Sequence, residues 1–180
     1  MKDKQTDNVN SRKKLFTARN IIIFAAIVII LGAGAVAGLV KASDNPAFCT
    51  SCHIMQPYYQ SWDSSDLLAN KHAAAGVTCH QCHESSVLTQ AEEGLKFITG
   101  DYKTPLDKRN LGTRDFCLAC HDFDTVKSKT NFDDSNPHDS HQGEQDCNLC
   151  HNMHQQSQLM CSQCHQFSWA DKLDESWKEQ

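Results

Sequence analysis

Apolar side chains are unevenly spread along this chain. From Ile21 to Val40 they run unbroken, twenty residues without a charged or polar side chain and with only three glycines among them. Twenty residues at about 1.5 Å rise cover about 30 Å, the thickness of a bilayer's hydrocarbon layer, so the run predicts a membrane-spanning helix. A cleaved signal peptide is the competing reading, and Ala35-Val36-Ala37 has small residues at a cleavage-like spacing; its apolar region, however, is expected to be about 7–15 residues, shorter than this one. Further along, Val87, Leu88, Ala91, Leu95 and Ile98 recur at near-helical spacing, which predicts a helix over 85–99 stopped by Gly100. That helix would lie against a lipid surface or pack on a cofactor. Residues 122–143 are polar, and Asn131, Asp133, Asp134, Asn136 and Pro137 predict a loop. The charged stretch 171–180 reads as a terminal helix or a frayed tail.

Charge then orients the span. Lys2, Lys4, Arg12, Lys13, Lys14 and Arg19 precede it, opposed by Asp3 and Asp7, whereas Lys41 and Asp44 follow it. The positive-inside rule keeps 1–20 as a cytoplasmic tail, makes 21–40 the single-pass anchor and sends 41–180 out, to a periplasm or an outer cell surface. Residues 41–180 hold 11 Lys+Arg against 20 Asp+Glu, a balance of −9 that excludes a nucleic-acid partner. No dinucleotide fingerprint, phosphate loop or catalytic triad is present.

The chain has 180 residues, of which 39% are apolar, and much of that share lies in the span or in its ten cysteines. What remains is too little for an ordinary hydrophobic core, so something other than side chains has to fill the interior.

The cysteines say what. They fall in five CxxC pairs, each followed at once by histidine: Cys49-Cys52-His53, Cys79-Cys82-His83, Cys117-Cys120-His121, Cys147-Cys150-His151 and Cys161-Cys164-His165. CxxCH is the attachment signature of c-type haem. Cysteines three apart share one face of a helical turn, where both thiols reach the two haem vinyl groups, and the adjacent histidine reaches the iron. A disulfide framework or a zinc ribbon needs no histidine at these positions, and a redox CxxC would occur once or twice, not five times. Five covalently bound haem c groups are therefore expected, their porphyrin faces supplying the missing apolar interior.

Five further histidines remain: His72, His80, His138, His141 and His154. Low-spin haem iron takes two axial ligands, so His72, His138, His141 and His154 are expected to complete four bis-histidine sites suited to electron transfer. His80 lies between two thioether-forming cysteines, where reaching an iron is awkward, and is read as a spectator. Motif starts at 49, 79, 117, 147 and 161 bring the last two sites close together.

Two family resemblances follow from these motifs. Residues 21–101 resemble the NapC/NirT class of membrane-anchored quinol dehydrogenases, to which the small subunit of cytochrome c nitrite reductase belongs. The shared features are the anchor, Cys49-Thr50-Ser51-Cys52-His53-Ile54-Met55, then Pro57, Tyr59, Trp62, and His72 ahead of the second motif. The resemblance implies Met55 as a ligand that can replace His53 on the first iron. It also implies a lysine and an aspartate near the first haem and the quinol, for which Lys96 and Asp101 stand nearest. Residues 117–167 resemble the tetrahaem domain of flavocytochrome c fumarate reductases through His138, His141, Gly143, Cys147–His151, His154, Ser157, Cys161–His165 and Phe167. Quinol dehydrogenases of this class usually carry four haems, and this chain has five motifs.

The expected fold is a multihaem cytochrome c: one N-terminal transmembrane helix, then a mostly α/loop domain packed around five haems. The expected function is oxidation of menaquinol at the membrane surface and relay of electrons to an extracytoplasmic reductase, a fumarate-reductase-like flavoprotein or a nitrite reductase. That makes the chain the electron-transfer subunit of a quinol dehydrogenase. Two rival readings are a passive anchored carrier that never meets quinol and a terminal reductase. The second requires a vacant iron site, against the histidine count.

Overall fold

The computed structural model describes residues 18–84, 86–109, 111–132 and 134–178. The basic residues Lys2 to Lys14, together with Ser85, Asp133 and the last two residues, lie outside these. The chain divides into two compact units, one ending at Asn45 and one beginning at Pro46.

The first unit is helix α1, Ala18–Ser43. It is 26 residues long, extending the apolar run at both ends. Its apolar side chains from Ile21 to Leu39 are exposed, among them Phe24, Ile29 and Ile30. A helix satisfies its own backbone groups, so exposed apolar side chains along its length fit a lipid solvent. Lys41 in its last turn pairs with Asp44 at 3.0 Å.

The second unit is made of short helices and loops, with no named strand among the described residues; the one β-bridge joins Ser157 and Trp177. Six α-helices follow: α2 Gln56–Asp63, α3 Leu68–Ala74, α4 Cys79–Cys82, α5 Val87–Thr99, α6 Arg114–Leu118 and α7 Phe123–Lys129. Pro57 opens α2 at the position where a missing N–H costs nothing. The helices α2 and α3 are tied by Asn70 donating to the Trp62 carbonyl at 2.8 Å, and Trp62 donates from its indole to the Val77 carbonyl at 2.9 Å.

The predicted helix over 85–99 is α5, shortened to start at Val87. Ser86 is its N-cap, its hydroxyl accepting from the Thr89 N–H at 3.1 Å, and Gly100 ends it at a φ of 76°. Stretch 122–143 is only partly loop. Asp122 caps α7 by accepting from the Thr125 N–H at 2.8 Å, and irregular chain follows Lys129. The C-terminal stretch corrects the expectation. It is neither a helix nor a frayed tail: after a 3-10 turn at Ala170–Lys172, the Ser157 N–H donates to the Ser176 carbonyl at 2.7 Å and the Lys178 N–H to the Ser157 carbonyl at 2.9 Å. Ser157 and Ser176 are both 0% exposed, so a polar pair, rather than charge repulsion, decides this segment.

The core is as small as composition requires. Among the described residues the buried apolar side chains are Ala69, Leu159, Trp169 and Ala170. The last three form one cluster with Phe132, Phe167, Leu173 and Trp177 against it.

Candidate functional site

Four of the five CxxCH motifs fold as a single closed turn. In the second to fifth motifs the histidine N–H donates to the carbonyl of the motif's first cysteine, at 2.8 Å for His83, 3.0 Å for His121, 2.8 Å for His151 and 2.9 Å for His165. That closes one helical turn and brings both thiols and the imidazole to one face. Thr78 and Gln81 close a capping box around the turn of α4. The first motif is built differently. Pro46–Ser51 and His53–Met55 are successive 3-10 turns, with Cys52 N–H donating to the Cys49 carbonyl at 3.3 Å and Met55 N–H to the Cys52 carbonyl at 2.8 Å. His53 and Met55 therefore share one short turn.

The motifs sit next to one another in chain order. Thiols of Cys49 and Cys79 hydrogen-bond, which lowers the Cys49 pKa to about 7 and raises that of Cys79. Cys82 interacts with Cys120, and Cys117 with Cys147, the Cys117 thiol being pushed up to about 11 first by burial and then by Cys147. Cys150 interacts with Cys161 in turn. None of the ten cysteines is in a disulfide, and among the described residues no three His, Cys, Asp or Glu side chains gather around a point that would hold a bare metal ion.

Across from four motif histidines stands a second imidazole. Ring centres of His83 and His154 are 6.0 Å apart, those of His72 and His121 6.0 Å, those of His138 and His151 6.1 Å and those of His141 and His165 5.8 Å. Metal–imidazole nitrogen bonds are about 2 Å long, so one metal between two imidazoles holds their ring centres about 6 Å apart. The spacing fits iron in all four pairs.

The outer nitrogens of His72, His154 and His138 agree, whereas His141 Nδ1 lies 3.4 Å from Gln142 Nε2. His72 Nδ1 lies 2.8 Å from the Leu68 carbonyl, which can only accept, so Nδ1 carries the proton. Ser61 donates its hydroxyl to the Tyr58 carbonyl at 2.6 Å and therefore accepts from His154 Nδ1, also at 2.6 Å. Thr130 donates to the Val126 carbonyl at 3.0 Å and accepts from His138 Nδ1 at 2.9 Å. In each case Nε2 keeps its lone pair for a metal, oriented by the hydrogen bond behind it. Burial holds the pKa of His83, His138 and His154 below the ordinary histidine value and takes His151 down to about 4, with His138 and His121 adding to the last. Neutral imidazoles are the ligating form. Beside His121 an open cleft of about 440 Å³ is lined by Leu118–Phe123 and gives a flat macrocycle room.

Facing His53, by contrast, is Phe97 of α5, with ring centres 5.6 Å apart, and Phe97 in turn stacks on Tyr102 at 5.7 Å. Lys96 and Asp101 are brought close by the end of α5, where the Asp101 N–H donates to the Lys96 carbonyl at 2.9 Å. The Lys96 ammonium is nevertheless held by Glu92, at 2.7 Å, and this pair raises the lysine pKa and lowers that of the glutamate. A separate cavity of about 120 Å³ opens beside the first motif, lined by Ile54, Pro57, Tyr58 and residues 103–106. Sequence reasoning missed Ser61 and Thr130 behind the imidazoles, Phe97 and Tyr102 on the His53 side, and Glu92 on Lys96. The phase of α5 alone puts Phe97 opposite the exposed Leu88 and Leu95.

Comparison with known proteins places these features. The NapC/NirT cytochrome c family N-terminal region matches residues 11–97, and the cytochrome c3 family matches 71–166. Cytochrome c-type protein Cgr1 of Eggerthella lenta is 29% identical over 178 residues, covering 81% of each chain. Cytochrome c-type protein TorC of Escherichia coli K12 is 35% identical over 134 residues, 61% of this chain but 32% of TorC. Cytochrome c-type protein NrfH of Wolinella succinogenes is 24% identical over 123 residues, 62% of this chain and 68% of NrfH. No solved structure matches the chain. One apolar anchor helix, thiol–imidazole turns with covalent haem c chemistry and these matches converge: the chain belongs to the cytochrome c3 family through residues 71–166 and, with its NapC/NirT-type N-terminal region, is a membrane-anchored multihaem cytochrome c that transfers electrons.

Proposed function

We propose that this cytochrome takes electrons from menaquinol beside its first haem and passes them through four bis-histidine sites to a reductase outside the cytoplasm. The observation that carries the reading is the ring opposite each motif histidine, an imidazole at four motifs and Phe97 at the first. Five covalent haems, one per motif, supply a reversible one-electron iron couple at each site. The ring pairs support His154 as the partner of the second motif, His72 of the third, His138 of the fourth and His141 of the fifth. The first motif has Met55 on the same turn as His53, which supports a first iron held by Met55 or His53 and ligated unlike the rest.

Only eight residues, Lys41 to Phe48, separate the apolar run from Cys49, which keeps the first motif close to the membrane in sequence. Quinol oxidation releases two protons with its two electrons, so a proton acceptor must stand beside the site. Asp101 is the acceptor in this reading and Lys96 orients the quinol oxygen, once Glu92 yields the ammonium. The apolar cavity next to Ile54 and Pro57 gives a quinone ring a wall to lie on. Residues 1–20 stay in the cytoplasm and 41–180 face outward, toward a flavoprotein reductase of the fumarate reductase type or a nitrite reductase. The net negative charge of the outer region steers a partner of complementary charge. The Lys96–Glu92 pair favours the rival reading of a passive carrier, because an occupied ammonium is not waiting for a quinol.

The test is reduction of the purified protein by a menaquinol analogue. Rapid reduction of all five haems supports the proposal, whereas reduction by dithionite alone favours the passive carrier. Mass spectrometry of the same sample is expected to give the chain plus five haems.

A further inference from the structure

The C-terminal segment has no part in the function so far described, yet the chain spends several specific contacts on holding it. It begins on Ser168 and Trp169, whose hydroxyl and indole N–H donate to Asp134 at 2.7 Å and to the Ser135 hydroxyl at 2.9 Å. Trp169 is sandwiched between Phe132 and Phe167, with ring centres at 4.5 and 4.9 Å. Farther on, Asp174 accepts from the Ser176 N–H at 2.9 Å and forms an ion pair with Lys71. The Ser157–Ser176 backbone pairing then fixes the next residue, Trp177, whose ring meets that of His151 edge-on, 5.1 Å between centres and 71° between planes. Lys71 is the residue before His72 on α3, so the segment is pinned to one proposed ligand's helix and rests on another proposed ligand.

We propose that residues 168–178 are a strap that seals the fourth site, with Trp177 as a positioning residue that fixes the His151 ring plane and keeps water from its edge. This rests on the ligation reading given above. An edge-on indole 5.1 Å from the imidazole centre leaves no layer for water between the two rings. Excluding water from a ligand's surroundings disfavours the more highly charged, oxidised iron and raises the potential, burial being one of the levers a protein has over haem. The strap thereby makes the fourth site a stronger electron acceptor than the same ligand pair would be in water. Its clamp to Lys71 ties that property to the helix that carries His72.

The test uses the intact five-haem protein in detergent, titrated potentiometrically and followed by electron paramagnetic resonance. His138→Met marks the fourth site, because replacing its proposed ligand should remove that component from the bis-histidine signals. Trp177→Ala is expected to lower the potential of that component by the equivalent of a tenfold change in its equilibrium, about 59 mV, and to shift its resonance, leaving the other four in place. Trp177→Phe should restore most of the potential. Lys71→Met, which touches neither ring, should move the same component in the same direction and raise amide hydrogen exchange at Ser157 and Lys178. Unchanged potentials in Trp177→Ala, or an equal shift of all components, would overturn the strap. A His138→Met protein with all four bis-histidine signals intact would instead overturn the ligation reading, and the strap with it.

Discussion

Opposite His53 stands the phenyl ring of Phe97; opposite His83, His121, His151 and His165 stand imidazoles at 5.8–6.1 Å. The five motifs agree in their cysteines and histidine, and the last four agree in their single-turn geometry as well, so among those four the pairing is not decided within the motif. It arises from what distant chain returns to the far side. For the second motif that is His154, which follows the fourth motif; for the third it is His72, which precedes the second. In the proposed function one short motif serves two tasks, and the partner ring separates them: a filled coordination sphere favours passing electrons on, whereas a sphere without a second imidazole favours meeting a substrate.

The strongest way to break the contrast is to make another site resemble the first. His154→Ala removes the ring opposite His83, and the expected outcome is a high-spin signal from one haem in five; His72→Ala, His138→Ala and His141→Ala should each do the same to a different haem, and His80→Ala to none. A high-spin signal from His80→Ala and none from His154→Ala would reverse the assignment. Next in size is the first site itself. Met55→Ala or Asp101→Asn should slow reduction by a menaquinol analogue at least about tenfold, about 1.4 kcal/mol of barrier, while dithionite still reduces both variants fully. Unchanged quinol kinetics in both would move the quinol site away from the first motif.

A smaller effect sharpens the role of Lys96. Glu92→Gln releases its ammonium from an exposed pair, so the quinol reaction should accelerate about twofold; slower reduction would show that Glu92, rather than Lys96, serves the substrate. The smallest expected effect is on the strap's response to acid. Hydrogen bonds from Lys71 and then Ser176 take the Asp174 pKa down to about 2. A carboxylate with a depressed folded-state pKa stabilises the fold fully above its ordinary value near 3.8 and loses that contribution as the pH falls through about 2. Amide protection at Ser157 should therefore hold constant above about pH 4 and fall below it, and Asp174→Asn should abolish that step.

Much of the site was legible from local pattern because its chemistry is local. Five attachment turns follow from CxxCH spacing, and α5 follows from the recurrence of Leu88, Ala91, Leu95 and Ile98 up to Gly100. Its first turn lies two residues later than the periodicity predicts, since a serine cap leaves no trace in a hydrophobic period. Counting histidines leaves four imidazoles available to stand opposite motif histidines. It could not pair them, because His154 reaches His83 through the fold and nothing near either residue in the sequence points to the other. The C-terminal stretch departs from its sequence pattern for a related reason: Ser157 and Ser176 look like surface residues until their backbones pair, and Trp177 looks incidental until it meets His151.

The small set of buried apolar side chains has a consequence for how the molecule is made. Ala69, Leu159, Trp169 and Ala170 cannot by themselves offset the conformational entropy of ordering a domain this size. On the proposed topology, the chain that reaches the outer side is effectively unfolded until haem is attached, and each pair of thioether bonds is also a folding step. A version with all ten cysteines changed to serine should show a coil-like circular dichroism spectrum outside the anchor. On the proposed ligation the order of emergence matters too: the first motif can be completed soon after the anchor, but His83 waits for His154, 71 residues later. The site proposed to receive electrons is thus finished early, and the route onward only once nearly all of the chain is out.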